Sequence, residues 1–565
     1  MKKLNLFFLV FLCGFNVFSQ EWEYSFDYAD SDDERFYVVD AIELSDGNIA
    51  VASKYHFRSG AGDFYSCHPA ILLLSSDGEE IARNVFFREG YCTMSYTPYL
   101  FENEGSLYAL MTYNPDHDYT YFNHFMNYDN PPTDAIVGLY KLDSELNIAK
   151  SYEYSYPIDT TECRDCGIGY WDLFPNEISG NIYMFSAIED DGEIVAVYSK
   201  PDSYKKNEAD AILCDSLVFI RMNFNGEITN RKAYVSRYPQ GNYHFLYRRN
   251  HLVQTDSHYI LYERNPFVTD IDVEDGAASY FDKDFNHIKT KSILQPNLNH
   301  NYVSDLENIS VIRSTHNTTY LATTARTIDP EYSYDFKYED NRLYEFDDDI
   351  DNAGNKISIV NYIVRGTNET RDRQAIMKAI DIAKDSSIYY AYSMNLGKYL
   401  DEDSWIVLER LNSDMDTIVT LFYGSDNDNA HADVDAIKAT KDGGLIIVCD
   451  KQKAFSDSQA ISKKVIKFPA SAFGFDDVSI EEAHAHNLKV AVAYPNPGGD
   501  VMNIRTSLRN CTLQVYDMQG RMVHQQEITD DVTSVDASNW QRGTYIWELK
   551  MENGKLKVEE GKWIK

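Results

Sequence analysis

The chain has 565 residues, beyond the usual size of one compact core. Its 89 Asp and Glu outnumber 52 Lys and Arg; the resulting net charge of −37 excludes a nucleic-acid partner, because phosphate contacts need a basic footprint. Hydrophobic residues make up 44 % and aromatics 14 %, which excludes a disordered chain, and no apolar run after Gln20 is long enough to span a membrane.

Met1–Gln20 reads MKKLNLFFLVFLCGFNVFSQ. Two lysines, an apolar stretch from Leu6 to Phe18 and a small residue at Ser19 follow the order of a secretory signal. Cleavage is expected before Gln20, leaving residues 1–19 as the signal peptide and a mature charge of −39 once Lys2 and Lys3 are lost. The apolar stretch is too short for a membrane anchor. Seven cysteines remain, an odd number. Cys67 and Cys92 are candidates for a disulfide, and Cys214 and Cys449 sit in apolar strand-like runs as small hydrophobes.

The body, residues 20–475, repeats. An apolar run ends in a large residue, a polar hairpin follows, then an isoleucine opens another strand. The pattern stands at ILLLSSDGEEI (Ile71–Ile81), LYKLDSELNI (Leu139–Ile148), FIRMNFNGEI (Phe219–Ile228), SYFDKDFNHI (Ser279–Ile288), LYEFDDDIDNAGNKI (Leu343–Ile357) and VLERLNSDMDTI (Val407–Ile418), with a truncated copy at Val465–Phe468. From Leu74 to Phe468 the copies are spaced by about 66 residues on average. Each unit carries an earlier hairpin. Asp40–Tyr55 and Asp435–Asp450 turn at Asp46-Gly47 and Asp442-Gly443, dipeptides suited to the positive φ of a tight hairpin. Weaker copies are LYALMTY after Gly105, NIYMFSAI after Gly180, YILYER after His258, YLATTA after Thr319 and IYYAYSM after Ser387.

Four strands in each of seven units is the pattern of a seven-bladed β-propeller, an all-β fold. The last unit lacks a fourth strand after Phe468, and Trp22–Glu34, which is similar to Thr417–Asn429, is the strand expected to supply it and close the ring. Separate β-sandwiches would show similar short strands; even spacing and the missing last strand favour the ring. Two inserts, Asn114–Asp134 and Asp329–Asn341, are rich in Tyr and Asp, a composition suited to a glycan or protein ligand or simply to covering strand ends.

An acidic linker is expected at 476–487, and the text changes from Leu488. Two alternating pairs, CTLQVYD with RMVHQQEI and GTYIWELKM with KLKVEEGKWIK, read as hairpins of a small immunoglobulin-like β-sandwich. Tyr494-Pro495-Asn496-Pro497 with Asp500, then Val515-Tyr516-Asp517 and Gly520-Arg521, then Gly543-Thr544-Tyr545, and a close at Gly561–Lys565 stand in that order. On these motifs residues 488–565 resemble the type A C-terminal sorting domain of the type IX (Por) secretion system of Bacteroidota. The resemblance implies a sorting motif of Tyr494, Pro495, Asn496, Pro497, Asp500, Tyr516, Asp517, Gly520, Gly543, Tyr545 and Lys565. It further implies export across both membranes, handling by the type IX machinery, and a secreted or outer-membrane-surface location. Such domains are usually removed on export, and the passenger is often joined to surface lipopolysaccharide.

Chemistry is sparsely signalled. No nucleophile elbow, HExxH helix, phosphate loop or dinucleotide fingerprint is present. Cys163-Arg164-Asp165-Cys166 lacks the further ligands of a zinc site and reads as a loop disulfide or two unrelated thiols. Asp347, Asp349 and Asp351 alternate as in a calcium loop, but Asn352 and Ser358 stand where an EF-hand wants Gly and Glu; calcium is the one cofactor considered, and no catalytic residue is assigned. The expected function is a ligand-binding surface or secreted protein. The alternatives are a glycan or peptide hydrolase, which would need two carboxyls about 5 to 9 Å apart, or a structural surface-layer component.

Overall fold

The computed structural model describes residues 22–26, 34–58, 65–93, 97–115, 134–157, 182–206, 211–235, 251–263, 277–292, 303–313, 318–328, 336–347, 356–364, 370–374, 378–383, 385–397, 405–424, 430–453, 461–473, 488–551 and 556–565. These are almost entirely β-strand, with one 3-10 turn at Ala470–Phe473.

Strand β1 (Trp22–Phe26) is followed by the first sheet, β2 (Glu34–Glu43), β3 (Ile49–Arg58), β4 (Tyr65–Leu74) and β5 (Glu80–Val85). The second holds β6 (Tyr91–Cys92), β7 (Tyr99–Asn103), β8 (Ser106–Pro115), β9 (Asp134–Leu142) and β10 (Ile148–Pro157). The third holds β11 (Tyr183–Asp190), β12 (Glu193–Lys206), β13 (Ala211–Asn223) and β14 (Ile228–Val235), the fourth β15 (His251–Gln254), β16 (His258–Glu263), β17 (Ala277–Asp282) and β18 (His287–Ser292). The fifth holds β19 (Val303–Arg313), β20 (Thr318–Ile328), β21 (Phe336–Asp347) and β22 (Lys356–Val364). The sixth holds β23 (Thr370–Gln374), β24 (Ile380–Ile382), β25 (Ile388–Gly397), β26 (Trp405–Leu411) and β27 (Thr417–Tyr423). The seventh holds β28 (Ala430–Ala439), β29 (Leu445–Lys453) and β30 (Ile461–Phe468), completed by β1 in antiparallel register Trp22↔Lys467 to Phe26↔Lys463. The first strand of the chain therefore lies where the sequence pattern put it. Among the described residues all these pairings are antiparallel and no sheet closes on itself.

Alternation explains why the strands read as continuous apolar runs. Successive side chains point to opposite faces of a sheet, and both faces are covered. Ile49 and Val51 pack with Trp22 and Val465 of the seventh sheet, while Ala50 and Ala52 pack with Leu107 and Ile136 of the second. Val218 and Ile220 join the second sheet's Val137 and Leu139; Leu217 and Phe219 join the fourth sheet's Tyr259 and Phe281. Tyr262 and Tyr280 pack with Leu321 of the fifth, and one large cluster joins Tyr320, Tyr390, Leu408 and Ile447 across the fifth to seventh. Each sheet thus shares a core with the next, and the seventh with the first.

The polar hairpin of each repeat has a physical cause. The residue after each apolar run is Ser75, Asp143, Asn223, Asp282 or Asn412, and its side-chain oxygen accepts the backbone N–H groups two and four positions on. The position three after this cap has positive φ: Gly78, Leu146, Gly226, Phe285 and Met415. Leu146, Phe285 and Met415 are buried, so packing offsets the strain of a non-glycine residue there. At Gly78 and Gly226 a Cβ would overlap the rings of Trp22 and Tyr152, which fill the space from a neighbouring sheet. Carbonyls of these turns also take a donor from the sheet before: Asn84 Nδ2 to Leu146 O at 2.8 Å, Tyr154 hydroxyl to Gly226 O, Tyr234 hydroxyl to Phe285 O, Tyr320 hydroxyl to Ser413 O at 2.9 Å, and Trp22 Nε1 to Ser76 O at 2.9 Å. The isoleucine after the turn, by contrast, is no core residue at Ile81, Ile148, Ile288 and Ile418, which are exposed.

One hairpin differs from its reading. The third sheet turns at Asp191-Gly192, both with positive φ, so NIYMFSAI lies on the first strand of its unit and not the second. The weak Gly180 lies outside the described residues; alternating hydrophobicity is equal on both strands of a hairpin and cannot rank them.

Residues from 491 form a second unit: β31 (Ala491–Tyr494), β32 (Val501–Thr506), β33 (Cys511–Asp517), β34 (Met522–Ile528), β35 (Val532–Asp536), β36 (Thr544–Met551) and β37 (Leu556–Ile564). Sheets β31-β32-β35 and β34-β33-β36-β37 enclose Met502, Ile504, Leu513, Val515, Trp547 and Trp563.

Candidate functional site

Two places hold chemistry. The first is a charge network around the opening strands β2, β24 and β28, joined by Asp450 of β29 and Lys463 of β30. The D-A-I pattern of β2 and β28 places Asp40 and Asp435 at register shifts, between Val38 and Asp40 on β2 and between Val434 and Ala436 on β28, and a bulge re-aims the side chains around it. Lys378 Nζ lies 3.9 Å from Asp40 Oδ1 and 3.4 Å from Asp381 Oδ2, and Lys438 Nζ lies 3.1 Å from the same Asp381 oxygen. Lys463 pairs with Asp435 and lies 3.1 Å from Asp450 Oδ1. The backbone binds these strands together, with Lys378 N–H donating to Asp435 O at 3.2 Å and Ile437 N–H to Lys378 O at 3.0 Å. Burial opposes the charge of Asp381, but Lys378 and Lys438 hold its carboxyl below the usual range, and Asp381 in turn raises Lys438. Each carboxylate of this network has an ammonium beside it. Such a set of paired charges is suited to recognising a polar ligand.

A carboxyl with the opposite behaviour is Glu409 on β26, raised by burial while Arg505 and Tyr392 pull it down. It faces the terminal sandwich, where Arg505 Nη2 reaches Glu409 Oε1 at 3.3 Å. Neither residue was singled out in the sequence, where Glu409 is one acid of 89.

The second place is the terminal sandwich, where the sequence motifs become one latch. Asn496 Oδ1 accepts Ile564 N–H at 3.0 Å, Asn496 Nδ2 donates to Lys562 O at 3.0 Å, and Trp563 Nε1 donates to Pro495 O at 2.7 Å. Lys565 Nζ donates to the carbonyls of Ala537 at 2.5 Å, Ser538 at 3.0 Å and Trp540 at 3.0 Å, and lies 3.3 Å from Asp500 Oδ1. Gly543 exchanges backbone bonds with Lys565. Tyr545 donates to Gln541 O at 2.6 Å, its ring 4.7 Å from that of Trp540. Tyr494 ends β31, with Pro497 in the turn that follows. Tyr494, Pro495, Asn496, Asp500, Gly543, Tyr545 and Lys565 thus gather at the closing strand. Tyr516, Asp517 and Gly520 stand apart in the β33–β34 hairpin: Asp517 Oδ1 accepts Gln519 and Arg521 N–H at 2.9 Å, and these bonds hold its carboxyl low. Trp540, unassigned in the sequence, and Trp563 of the closing motif are the rings that the latch residues surround.

Asp347 ends β21, while Asp349 and Asp351 lie outside the described residues, as do Cys163 and Cys166. Among the described residues no group of three or more His, Cys, Asp or Glu is placed to hold a metal ion. Thr93 N–H donates to Cys67 O at 2.8 Å, which brings the chain beside Cys92 up to Cys67; Cys449 and Cys511 are buried, and burial raises both thiols.

Residues 492–562 match the family model of the secretion system C-terminal sorting domain. The sandwich is that domain, and it marks the chain for type IX secretion and the cell surface or outer membrane. No helix among the described residues is long and apolar enough to cross a membrane. No curated protein matches the chain. Among solved structures, polysaccharide lyase Uly1 is similar at 9 % identity over 80 % of this chain and 93 % of that one, with a TM-score of 0.40. The GH93 α-L-arabinofuranosidase of Fusarium graminearum shares 10 % over 79 % and 97 %, TM-score 0.37. PorZ, a surface component of the type IX secretion system of Porphyromonas gingivalis, shares 10 % over 94 % and 81 %, TM-score 0.19. At such scores none of these likenesses bears on activity.

Proposed function

We propose that this is an exported surface protein whose body is a seven-bladed ring binding a polar ligand, a glycan or a protein segment, with the sorting domain as its export address. The signal peptide of residues 1–19 takes the chain across the inner membrane, the type IX machinery across the outer. The observation that carries the ring is the seventh-to-first contact: Trp22 of β1, paired on β30, donates to Ser76 O and packs over Gly78, repeating the tie made between other neighbouring sheets. Adjacency of the opening strands supports it too, with β2 beside β7 and β28, β11 beside β15, β15 beside β19, and β24 beside β19 and β28. In a ring these strands line the centre, which brings the lysine–aspartate network to the place where propellers meet ligands. The paired charges there support a binding role.

Two measurements test the reading. Deleting Leu488–Lys565 in a Glu409→Gln background, which removes the charge the tail covers, should leave the body in the periplasm; normal surface display would refute the export route. A glycan and protein array probed with the full chain should give hits that Lys378→Met and Lys438→Met abolish. Turnover of a glycan or peptide by the purified chain would instead favour the hydrolase.

A further inference from the structure

Strand β27 is the outer edge of the sixth sheet, and an edge presents unpaired backbone groups that invite pairing. The chain entering the sorting domain occupies it. Phe422 and Lys489 exchange backbone hydrogen bonds, both 2.9 Å, and Thr420 N–H donates to Ser507 Oγ at 3.0 Å. Leu488, Val490 and Val492 are buried in the body's own cluster with Trp405, Leu421 and Phe422, and the Lys489 ammonium lies 5.4 Å from the centroid of the Trp405 ring.

At the centre of this contact Arg505, on β32, is 6 % exposed. Its Nη2 donates to Glu409 Oε1 at 3.3 Å and to the Tyr392 hydroxyl, its Nη1 lies 3.8 Å from Met394 Sδ, and its guanidinium sits 5.3 Å from the Tyr392 ring centroid. Glu409 is 3 % exposed, and its Oε2 has no hydrogen-bond partner among the described residues. The described cation that balances this buried carboxylate comes from the other domain. A buried ion without its partner is strongly disfavoured, so each side of the contact requires the other.

We infer that the sixth sheet carries a receptor for the sorting domain, built from Tyr392, Trp405, Glu409 and the edge at Thr420 and Phe422. The tail is held there non-covalently, and cutting the connecting stretch 474–487 does not release it. Release needs the Arg505–Glu409 contact to break, through a partner that captures the tail. This holds whether or not the body binds a glycan, and it adds to the export reading a step that a protease alone does not complete.

The test uses the full chain with a recognition sequence for a site-specific protease inserted between 476 and 487. After complete cutting, the two fragments should co-elute on gel filtration at low micromolar concentration. Arg505→Met in the same chain should weaken their association at least about thirtyfold, in line with truncation of one partner of a buried charge pair, and adding Glu409→Gln should recover most of the loss. Glu409→Lys, which leaves the tail sequence intact, should release a tail that keeps its own melting transition. Separation of the unaltered fragments, or co-elution with Glu409→Lys, would overturn the inference.

Discussion

The body and the sorting domain use the same turn in different ways. In both, an Asp, Asn or Ser caps a hairpin by accepting the N–H groups two and four residues on, and the third position has positive φ. In the body that third position is either a buried Leu146, Phe285 or Met415, or a glycine over which a neighbour's ring lies. In the sorting domain it is Gly520, with nothing within 4 Å of where its Cβ would be, flanked by exposed Met518 and Met522. The local code is shared, and its tertiary use is opposite. Body turns are points of attachment between sheets, so stability is passed from neighbour to neighbour. The sorting domain closes on itself through Lys565 and Trp563, as suits a module that must be recognised as a unit.

The sharpest way to break this contrast is Trp563→Ala. Trp563 is fully buried and central to the latch, so its loss should cost about 4 kcal/mol and melt the sandwich alone. In a Glu409→Gln background, which removes the charge the tail covers, differential scanning calorimetry should show one transition moved down and the body's transition kept; a shift of both by the same amount would show that the two units unfold together.

Trp22→Ala should act on the body instead, removing the indole over Gly78 and the bond to Ser76 O at about 3 kcal/mol. If attachment runs neighbour to neighbour, hydrogen exchange should rise first on β1, β30 and β5 and leave the third and fourth sheets protected. Uniform acceleration over all sheets would count against it.

A smaller effect separates two carboxyls by pH, the exposed Asp442 and the buried Glu409. Asp442, in the β28–β29 turn, is opposed by burial but held down to about 2 by Thr440, the Gly444 N–H and Lys467. Its contribution is present above the unfolded value near 3.8 and is lost as pH falls through about 2. Glu409 is raised, so it binds its proton more tightly when folded; its contribution is full below the unfolded value of about 4.5 and is lost as pH climbs through the raised one. Asp442→Asn should flatten the acid limb of a melting-temperature profile, and Glu409→Gln the limb above the ordinary carboxylate range. The same slope change from both variants would contradict the assignment.

Much of this was legible in the sequence, for a local reason. Alternation, Asp-Gly turns and the repeated run ending at Leu74, Leu142, Met222, Phe281 and Leu411 depend on residues near each other in the chain, and they marked strands and units well. The sorting domain was legible as well, because its motifs stand close together in one short stretch that the family match covers. The partner of β1 was legible through the missing strand after Phe468 and the likeness of Trp22–Glu34 to Thr417–Asn429. The third sheet's first hairpin was misplaced because its two strands are alike in pattern.

What the sequence by itself determined is the set of sheets, their caps and the export label at the end. Only the tertiary structure decided that Asp381 lies between Lys378 and Lys438, and that Arg505 meets Glu409 across 96 positions of chain. Charge pairs of this kind obey no spacing rule: burial selects the partners, and burial is a property of how sheets pack and not of the order of residues within them.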